Sequence, residues 1–217
     1  MNDNELYYRS NTALKFLQII FSKLEKEITL ATVIDYKDIN TLKMKDFILC
    51  MSHLSKYIRT EIYEQGEDQE AKSLLHADKL PVLALFESEN YYSGVKFHGI
   101  PDQYALIAFA LTVYNLAGEG EKIKTETAKK IASIDKSINL KICMTPSCIN
   151  SADAIVAAQR LALLNPKIEA EALDLDIFPD YKNNYGIKKT PALIVNNHGL
   201  YYDISSIDKI LDILIKI

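Results

Sequence analysis

Apolar positions along the chain recur with two different spacings, one typical of helices and one typical of strands. The first set predicts an amphipathic helix near the start of the chain. Its apolar positions are Leu14, Leu17, Phe21 and Leu24. The short β-branched run 28–33 predicts a buried strand. The longest apolar stretch, 104–117, falls short of the roughly 20 residues that span a membrane, so we expect a buried helix there.

The same kinds of segment occur twice in the same order. Shifting the chain against itself by 110 residues brings four segments into register at once, which indicates an internal duplication. The aligned segments are 28–33 with 138–143, 38–41 with 148–151, 58–62 with 168–172, and 79–83 with 189–193. We therefore predict two units, residues 1–118 and residues 119–217.

Each unit is predicted to run helix, strand, helix, strand, hairpin and closing helix. The second helix begins at the aligned tetrapeptide, with Asp38 as its N-cap in the first unit and Cys148 at that position in the second. It ends at 165–166 in the second unit, because proline cannot continue a helix. Gly-containing turns at 93–94 and 196–199 are expected to close the hairpins. This order predicts a mixed sheet with helices on both faces.

A proline stands at the start of the third strand in both units. Pro81 and Pro191 are either ordinary trans residues that begin a strand or members of cis peptide bonds. Cis bonds are uncommon even before proline, but the recurrence at one position of both units favours cis bonds at 80–81 and 190–191.

Composition and charge exclude several classes of function. The chain is 48% hydrophobic and 25% charged, as expected for a soluble globular protein. A net charge of −4 and the lack of a basic run argue against a nucleic-acid partner. Three cysteines are too few for a disulfide framework, and no secretory signal is visible, so we expect a reducing, cytoplasmic location. The histidines have no metal-ligand spacing, which predicts no metal site.

Cys148 is the residue with the clearest chemistry. At the start of a helix, free backbone N–H groups and the helix dipole stabilise a thiolate, so its pKa should lie below the free value of about 8.5. Ser151 lies one helical turn on and can donate a hydrogen bond to the thiolate, but it cannot attack a disulfide. Thr190 is expected to face the thiol. The strand 138–145 that leads to this cysteine has no carboxylate, so no buried acid is predicted on it.

The other cysteines and the histidines are interpreted as structural. Cys143 is predicted to be a buried, unreactive thiol in a strand. Cys50 shares a helical face with Phe47 and Leu54, which predicts a position in the core. The four histidines are expected on the surface or in turns; they are His53, His76, His98 and His198.

Four segments carry a resemblance to a known fold: 144–148, 163–166, 189–194 and 94–101. Together they resemble the thioredoxin fold. Two such folds in tandem resemble the glutaredoxin-like protein disulfide oxidoreductases of archaea and bacteria and the N-terminal domain of the F component of alkyl hydroperoxide reductase. The resemblance runs from about residue 12 to the end of the chain. It implies an α/β protein of two tandem thioredoxin-like folds, with three α/β/α layers around a mixed sheet.

The chain departs from that family at the residues that carry its chemistry. Ser151 replaces the second cysteine of the Cys-x-x-Cys motif, and the positions of a His-Glu pair hold Tyr104 and Ala105. The first unit has Asp38 where the nucleophile would stand. The resemblance therefore implies a monothiol site with Cys148 and Ser151 as catalytic residues. The implied substrate-binding residues are Thr190, Pro191, Pro146 and Ser147.

Three functions are compatible with this site. The first is thiol–disulfide exchange through a single cysteine, with no bound cofactor and with glutathione or a partner thiol as co-substrate. The implied partner is a thiol- or disulfide-bearing protein, such as a peroxiredoxin or a thioredoxin-reductase-like flavoprotein. The second is a non-catalytic binding or assembly module. The third is iron–sulfur binding, as in Cys-x-x-Ser glutaredoxins, although their intervening Gly-Phe is replaced by 149–150 here.

Overall fold

The computed structural model describes residues 6–66, 73, 75, 78–87 and 91–216. Within these residues, the first half of the chain forms a short 3₁₀-helix (Tyr7–Arg9), α1 (Asn11–Phe21), β1 (Ile28–Ile34), α2 (Ile39–Ser52), β2 (Ile58–Glu64), β3 (Leu83–Glu87), β4 (Tyr92–His98) and α3 (Gln103–Ala117). The second half forms α4 (Thr125–Ala132), β5 (Ile138–Met144), α5 (Ser151–Leu164), β6 (Ile168–Asp174), α6 (Pro179–Asn184), β7 (Ala192–Val195), β8 (Gly199–Tyr201) and α7 (Ile207–Leu214).

The described strands form one continuous sheet in the order β2-β1-β3-β4-β6-β5-β7-β8. In each half the first two strands are parallel, and the hairpin that follows adds two antiparallel strands. The halves join where β4 pairs with β6 in parallel, from Val95 opposite Ala170 to His98 opposite Leu173. This pairing covers one edge of each half, where unpaired backbone groups would otherwise face solvent. We call the β4–β6 pair the seam.

The main core lies on one face of the sheet. Helix α3 packs between that face of the sheet, α1 and α5. Most of its residues are therefore apolar and buried. Phe109 of α3 makes edge-to-face contacts with Phe47 of α2 and Phe97 of β4. The predicted buried helix at 104–117 is therefore confirmed. In the part of the chain that the structure describes, no helix combines the length and the apolar character that crossing a membrane requires.

The opposite face carries smaller clusters, since successive residues of a strand point to opposite faces. Ile142 of β5 belongs to the main core, whereas the next residue, Cys143, packs under α6 with Leu173 and Ile194. Helix α6 is held against this cluster by Phe178 and Tyr181. The loops at this end of β5 and β7 carry the predicted site.

The predicted hairpin turn at 196–199 is confirmed, whereas the one at 93–94 is wrong. Asn196 and Asn197 both have positive φ, and His198 N–H donates to the Val195 carbonyl at 3.0 Å, which closes a tight turn. Ser93 and Gly94 instead lie within β4, where the pairing with β3 shifts register. Gly94 has a φ of +79°, and a Cβ there would lie 2.8 Å from the Ile168 carbonyl oxygen. Gly94 therefore permits both the bulge in β4 and the close approach of β4 to the Ile168 carbonyl across the seam.

Candidate active site

Cys148 lies in the loop between β5 and α5 and is half-buried. Its backbone N–H donates to the Thr145 carbonyl at 3.0 Å, and its own carbonyl accepts from Ser151 N–H at 3.0 Å. Helix α5 begins only at Ser151, with Asn150 as its N-cap. The prediction that Cys148 occupies the N-cap is therefore wrong by two residues, because an extra turn precedes the helix.

The turn nevertheless stabilises negative charge on the sulfur. Partial burial opposes ionisation of Cys148, but neighbouring donor groups favour it and hold the pKa of the thiol below its ordinary value. These groups are the side chains of Ser151 and Thr190 and the backbone N–H groups of Asn150 and Ser151. Backbone N–H groups at the start of the helix thus favour the thiolate of Cys148, as the sequence predicts.

Ser151 is placed to respond to the charge of the thiol. Its side chain is completely buried, and its Oγ has no hydrogen-bond partner among the described residues while the thiol is neutral. A buried hydroxyl without a partner is costly. Ionisation of Cys148 provides an acceptor for this hydroxyl, so Ser151 favours the thiolate.

The loop after α6 brings Thr190 and Pro191 to the same sulfur. The Thr190-Pro191 peptide bond is cis, and so is Leu80-Pro81 in the first half. The Cys148 thiol donates to the Thr190 carbonyl oxygen with a sulfur–oxygen distance of 3.4 Å. Pro191 itself is buried behind Thr190. The structure thus brings Cys148, Ser151 and Thr190 together, as expected from the sequence.

The first half of the molecule touches this loop. Tyr104, in the first turn of α3, donates its backbone N–H to the Pro146 carbonyl at 3.1 Å. The N-cap of α3, Asp102, accepts backbone hydrogen bonds from Tyr7 at 3.1 Å and Tyr8 at 2.8 Å. The loop before α3 therefore connects the start of the chain to the loop of Cys148. Of the two other predicted substrate-binding residues, Pro146 is half-buried; Ser147, next to the cysteine, is exposed.

A buried acid lies on β6, beside the strand that leads to Cys148, whereas the sequence analysis looked for one only on the strand 138–145. Asp174 ends β6 opposite Met144 and packs against Gly99, where a Cβ would lie 2.6 Å from the Asp174 Cβ. Burial raises the pKa of Asp174 to about 6, although a hydrogen bond from Asp176 N–H acts in the opposite direction. The available signal was an acid between two leucines, Leu173 and Leu175, at the end of a predicted strand.

The histidines do not all lie on the surface or in turns. His53 and His198 are exposed, as predicted, and His76 lies outside the described residues. His98 is instead completely buried in β4 at the seam, so the prediction is wrong for this residue. Its burial follows from the pairing of β4 with β6, which covers both strands.

A group of buried charges surrounds His98. Its Nε2 lies 3.3 Å from a carboxylate oxygen of Glu171, and Lys141 lies 3.0 Å from the same carboxylate. Burial opposes ionisation of Glu171, but His98, Lys141 and Lys96 hold its pKa far below the usual range. The described His, Cys, Asp and Glu residues form no cluster of three or more placed to hold a metal.

The other two cysteines differ from Cys148. Cys143 is fully buried, and burial raises the pKa of its thiol to about 12, with smaller effects from nearby charges. The prediction of a buried strand thiol at this position is confirmed. Cys50 is half-buried near the end of α2, so it is more exposed than the predicted core position. Burial raises the pKa of its thiol as well.

Comparisons with known proteins agree with this architecture. Residues 138–202 match the family model of the thioredoxin domain. The chain is 25% identical over 103 residues to the F component of alkyl hydroperoxide reductase from Pseudomonas putida, and 24% identical over 104 residues to that of Staphylococcus aureus Mu50. Each match covers 48% of this chain and 20% of the relative, so the matched region is about one fifth of those proteins.

Solved structures give a more complete match. The F component of alkyl hydroperoxide reductase from Enterococcus faecalis is similar with a TM-score of 0.91 and 28% identity, over 95% of this chain and 99% of that one. A protein disulfide oxidoreductase from Aeropyrum pernix has the same fold, with a TM-score of 0.83 and 18% identity over 94% of this chain and 91% of that one. The predicted fold class, two tandem thioredoxin-like folds in an α/β protein, is thereby confirmed.

Proposed function

We propose that this protein carries out thiol–disulfide exchange through one nucleophilic cysteine, Cys148. The observation that carries the proposal is a half-buried thiol with a lowered pKa, held beside the Thr190 carbonyl. The thioredoxin-domain match and the similarity to the F component of alkyl hydroperoxide reductase support a thiol–disulfide oxidoreductase-like function in general. The monothiol mechanism follows from the residues of this chain.

The first step is attack by the Cys148 thiolate on a disulfide sulfur of the partner. A new S–S bond forms, the partner's disulfide breaks, and its second sulfur leaves as a thiolate with the bonding electron pair. The product is a mixed disulfide between Cys148 and the partner. A glutathione thiolate then attacks the Cys148 sulfur of this bond, which releases the partner's first sulfur as a thiolate and leaves glutathione bonded to Cys148. A second glutathione thiolate attacks the glutathione sulfur and releases the Cys148 thiolate with glutathione disulfide. The partner's disulfide is thereby reduced by two electrons, and two glutathione molecules are oxidised to one disulfide.

No internal thiol resolves the mixed disulfide in this proposal. Ser151 stands where a second cysteine would complete the motif, and a hydroxyl cannot resolve a mixed disulfide. Cys143 is buried and has a raised pKa, so it supplies almost no thiolate near neutral pH. Cys50 belongs to α2 of the other half. Ser151 acts instead by donating a hydrogen bond to the thiolate.

Substrate binding is assigned to the surface around the sulfur. Thr190 and Pro191 present backbone to an extended segment of the partner, and Pro146 and Ser147 flank it on the other side. A thiol- or disulfide-bearing protein is the proposed partner, and the similarity to alkyl hydroperoxide reductase supports a peroxiredoxin or a thioredoxin-reductase-like flavoprotein in this role. The free cysteines fit a reducing compartment, for which we propose the cytoplasm.

The proposal is tested by trapping the mixed disulfide. Reduced protein is incubated with glutathione disulfide, and each cysteine is mapped by mass spectrometry. We expect one glutathione on Cys148, one glutathione released per adduct, and no adduct at position 148 in Cys148→Ser. Absence of the adduct, while iodoacetamide still labels Cys148 in the native protein, would contradict exchange and favour a non-catalytic binding module on the same fold.

A further inference from the structure

A basic cavity lies next to Cys148, although the chain as a whole has a net charge of −4. The cavity measures about 470 Å³ and has Thr145 and Thr190 in its wall, the same residues that hydrogen-bond Cys148. Three lysines also line it: Lys182, Lys188 and Lys189. A partner whose sulfur is bonded to Cys148 therefore places its neighbouring residues within reach of these ammonium groups.

This positive charge is only partly neutralised by the protein. Lys189 forms an ion pair with Asp203 at 2.7 Å. Among the described residues, no ion pair involves Lys182 or Lys188, and Asp176 is the one carboxylate that lines the cavity. The lysines are exposed, so their charge acts on incoming partners through solvent.

The excess of positive charge belongs to this cavity, where Lys182 and Lys188 outnumber Asp176 once the Lys189–Asp203 pair is set aside. A second cavity of about 300 Å³ on the other side of Thr190 is balanced, with two carboxylates and two ammonium groups in its wall. These groups belong to Asp153, Asp203, Lys189 and Lys209. In the first half, the position equivalent to Lys188 is Asp78, whose carboxylate pairs with Lys79. At the same shift the positions equivalent to Lys182 and Lys189 hold Lys72 and Lys79, so the two halves differ in this charge only at position 188.

We propose that this basic cavity selects partner segments that carry acidic side chains next to the reacting cysteine. The inference rests on the proposed thiol–disulfide exchange and names the class of substrate for the same site. Complementary charge accelerates encounter and disfavours wrong partners, and the effect weakens as salt shortens the range of the interaction. Partners with basic residues beside the cysteine should be disfavoured.

The test uses three capped tripeptides in which the cysteine is activated as a 2-pyridyl disulfide: Glu-Cys-Glu, Gln-Cys-Gln and Lys-Cys-Lys. The Cys148 thiolate attacks the peptide sulfur, the S–S bond breaks, and pyridine-2-thione leaves with the electron pair. Its absorbance reports one mixed disulfide per molecule released. The rate of Cys148→Ser is subtracted, and each rate is divided by that of the same peptide with β-mercaptoethanol, which removes intrinsic differences between the peptides.

We expect the acidic peptide to react faster than the basic one by on the order of tenfold at low salt, with the neutral peptide between them. The ratio should fall towards one in about 1 M salt, where the screening length is roughly 3 Å. In Lys182→Glu/Lys188→Glu the preference should disappear or reverse. Lys15→Glu/Lys43→Glu, on α1 and α2, is the matched control because it changes the net charge equally, and it should keep the preference.

Two kinds of failure are distinguishable. Release of the thione at equal normalised rates from all three peptides would overturn the charge selection but leave thiol–disulfide exchange intact. The same holds if the preference survives in Lys182→Glu/Lys188→Glu or is lost equally in Lys15→Glu/Lys43→Glu. Absence of release from every peptide would contradict the proposed function itself.

Discussion

The two halves of the molecule contain the same loop with different side chains. Segments 35–41 and 145–151 both connect the first strand of a half to its second helix. In the first loop, the Asp38 carboxylate accepts a hydrogen bond from Asn40 N–H at 2.9 Å. In the second, the equivalent Asn150 N–H helps to lower the pKa of the Cys148 thiol. The turn therefore stabilises a negative charge in both halves. In the first half this charge is the Asp38 carboxylate, and in the second it is the Cys148 thiolate.

The loops differ in how the following hydroxyl is used. Thr41 donates to the carbonyl oxygens of Asp35 at 2.9 Å and Asp38 at 2.8 Å, which closes the first loop on itself. The equivalent Ser151 has no partner among the described residues until Cys148 ionises. One loop is a completed cap with a structural role. The other keeps a free hydroxyl beside a group that can gain or lose a proton.

The largest expected effect comes from making the second loop like the first. Cys148→Asp should retain the fold, because Asp38 shows that this turn accepts a carboxylate, and should lose exchange completely. Thione release from an activated disulfide measures the activity, and thermal unfolding measures the fold. If Cys148→Asp keeps measurable exchange, the reacting thiol is not Cys148.

A second change restores a dithiol motif. Ser151→Cys places a second thiol one turn from Cys148, so treatment with glutathione disulfide should give an internal disulfide instead of a stable glutathione adduct. Thr41→Cys is the matched control, since its neighbour in the first loop is Asp38. Mass spectrometry after alkylation distinguishes the products. A stable adduct on Ser151→Cys would mean that the two side chains do not meet.

The halves also differ at the end of their second strand. Asp174 of β6 is buried at the seam, whereas the equivalent Glu64 of β2, on the sheet edge, accepts a hydrogen bond from Tyr36 at 2.6 Å. The raised pKa of Asp174, about 6, means that the folded state holds the proton more tightly than the unfolded state, so this group's contribution to stability falls as pH rises from about 4 to 6.

Asp174→Asn removes that dependence. We expect the variant to be more stable than wild type at pH 7, by on the order of 2 kcal/mol, and similar at pH 4, because the protonated acid and the amide are both neutral. Glu64→Gln serves as the control at the sheet edge. Urea unfolding at both pH values measures the difference. Equal stabilities at pH 7 would show that Asp174 ionises without cost.

The smallest expected effect comes from installing a thiol in the first loop. Asp38→Cys should create a cysteine that alkylates faster than Cys50 near neutral pH, since the turn supplies a backbone N–H to the sulfur. It should remain slower than Cys148, because the Thr41 hydroxyl is already engaged. Site-by-site mass spectrometry gives all three rates in one sample. A rate equal to that of Cys50 would mean that the turn alone does not activate a thiol.

The sequence predicted the strands and helices of each half because their apolar patterns are local. The resemblance to the thioredoxin fold also placed Cys148, Ser151 and Thr190 in one site. Two features depended on the pairing between the halves and were therefore not predictable from local patterns. His98 precedes a Gly-Ile-Pro segment and Asp174 carries an acidic side chain, yet both are buried because β4 pairs with β6. Gly94 has the positive φ that is typical of a turn glycine, but it lies in a bulge of β4 and not in a hairpin turn.

The central claim is that the second loop holds an activated thiolate and that neither of the other two cysteines is activated. The direct measurement is the pH dependence of iodoacetamide labelling of the native protein, followed at each cysteine by mass spectrometry. We predict an apparent pKa for Cys148 clearly below about 8.5, with Cys50 labelled more slowly and Cys143 only after unfolding. Labelling of Cys148 no faster than Cys50 over this range would contradict the account.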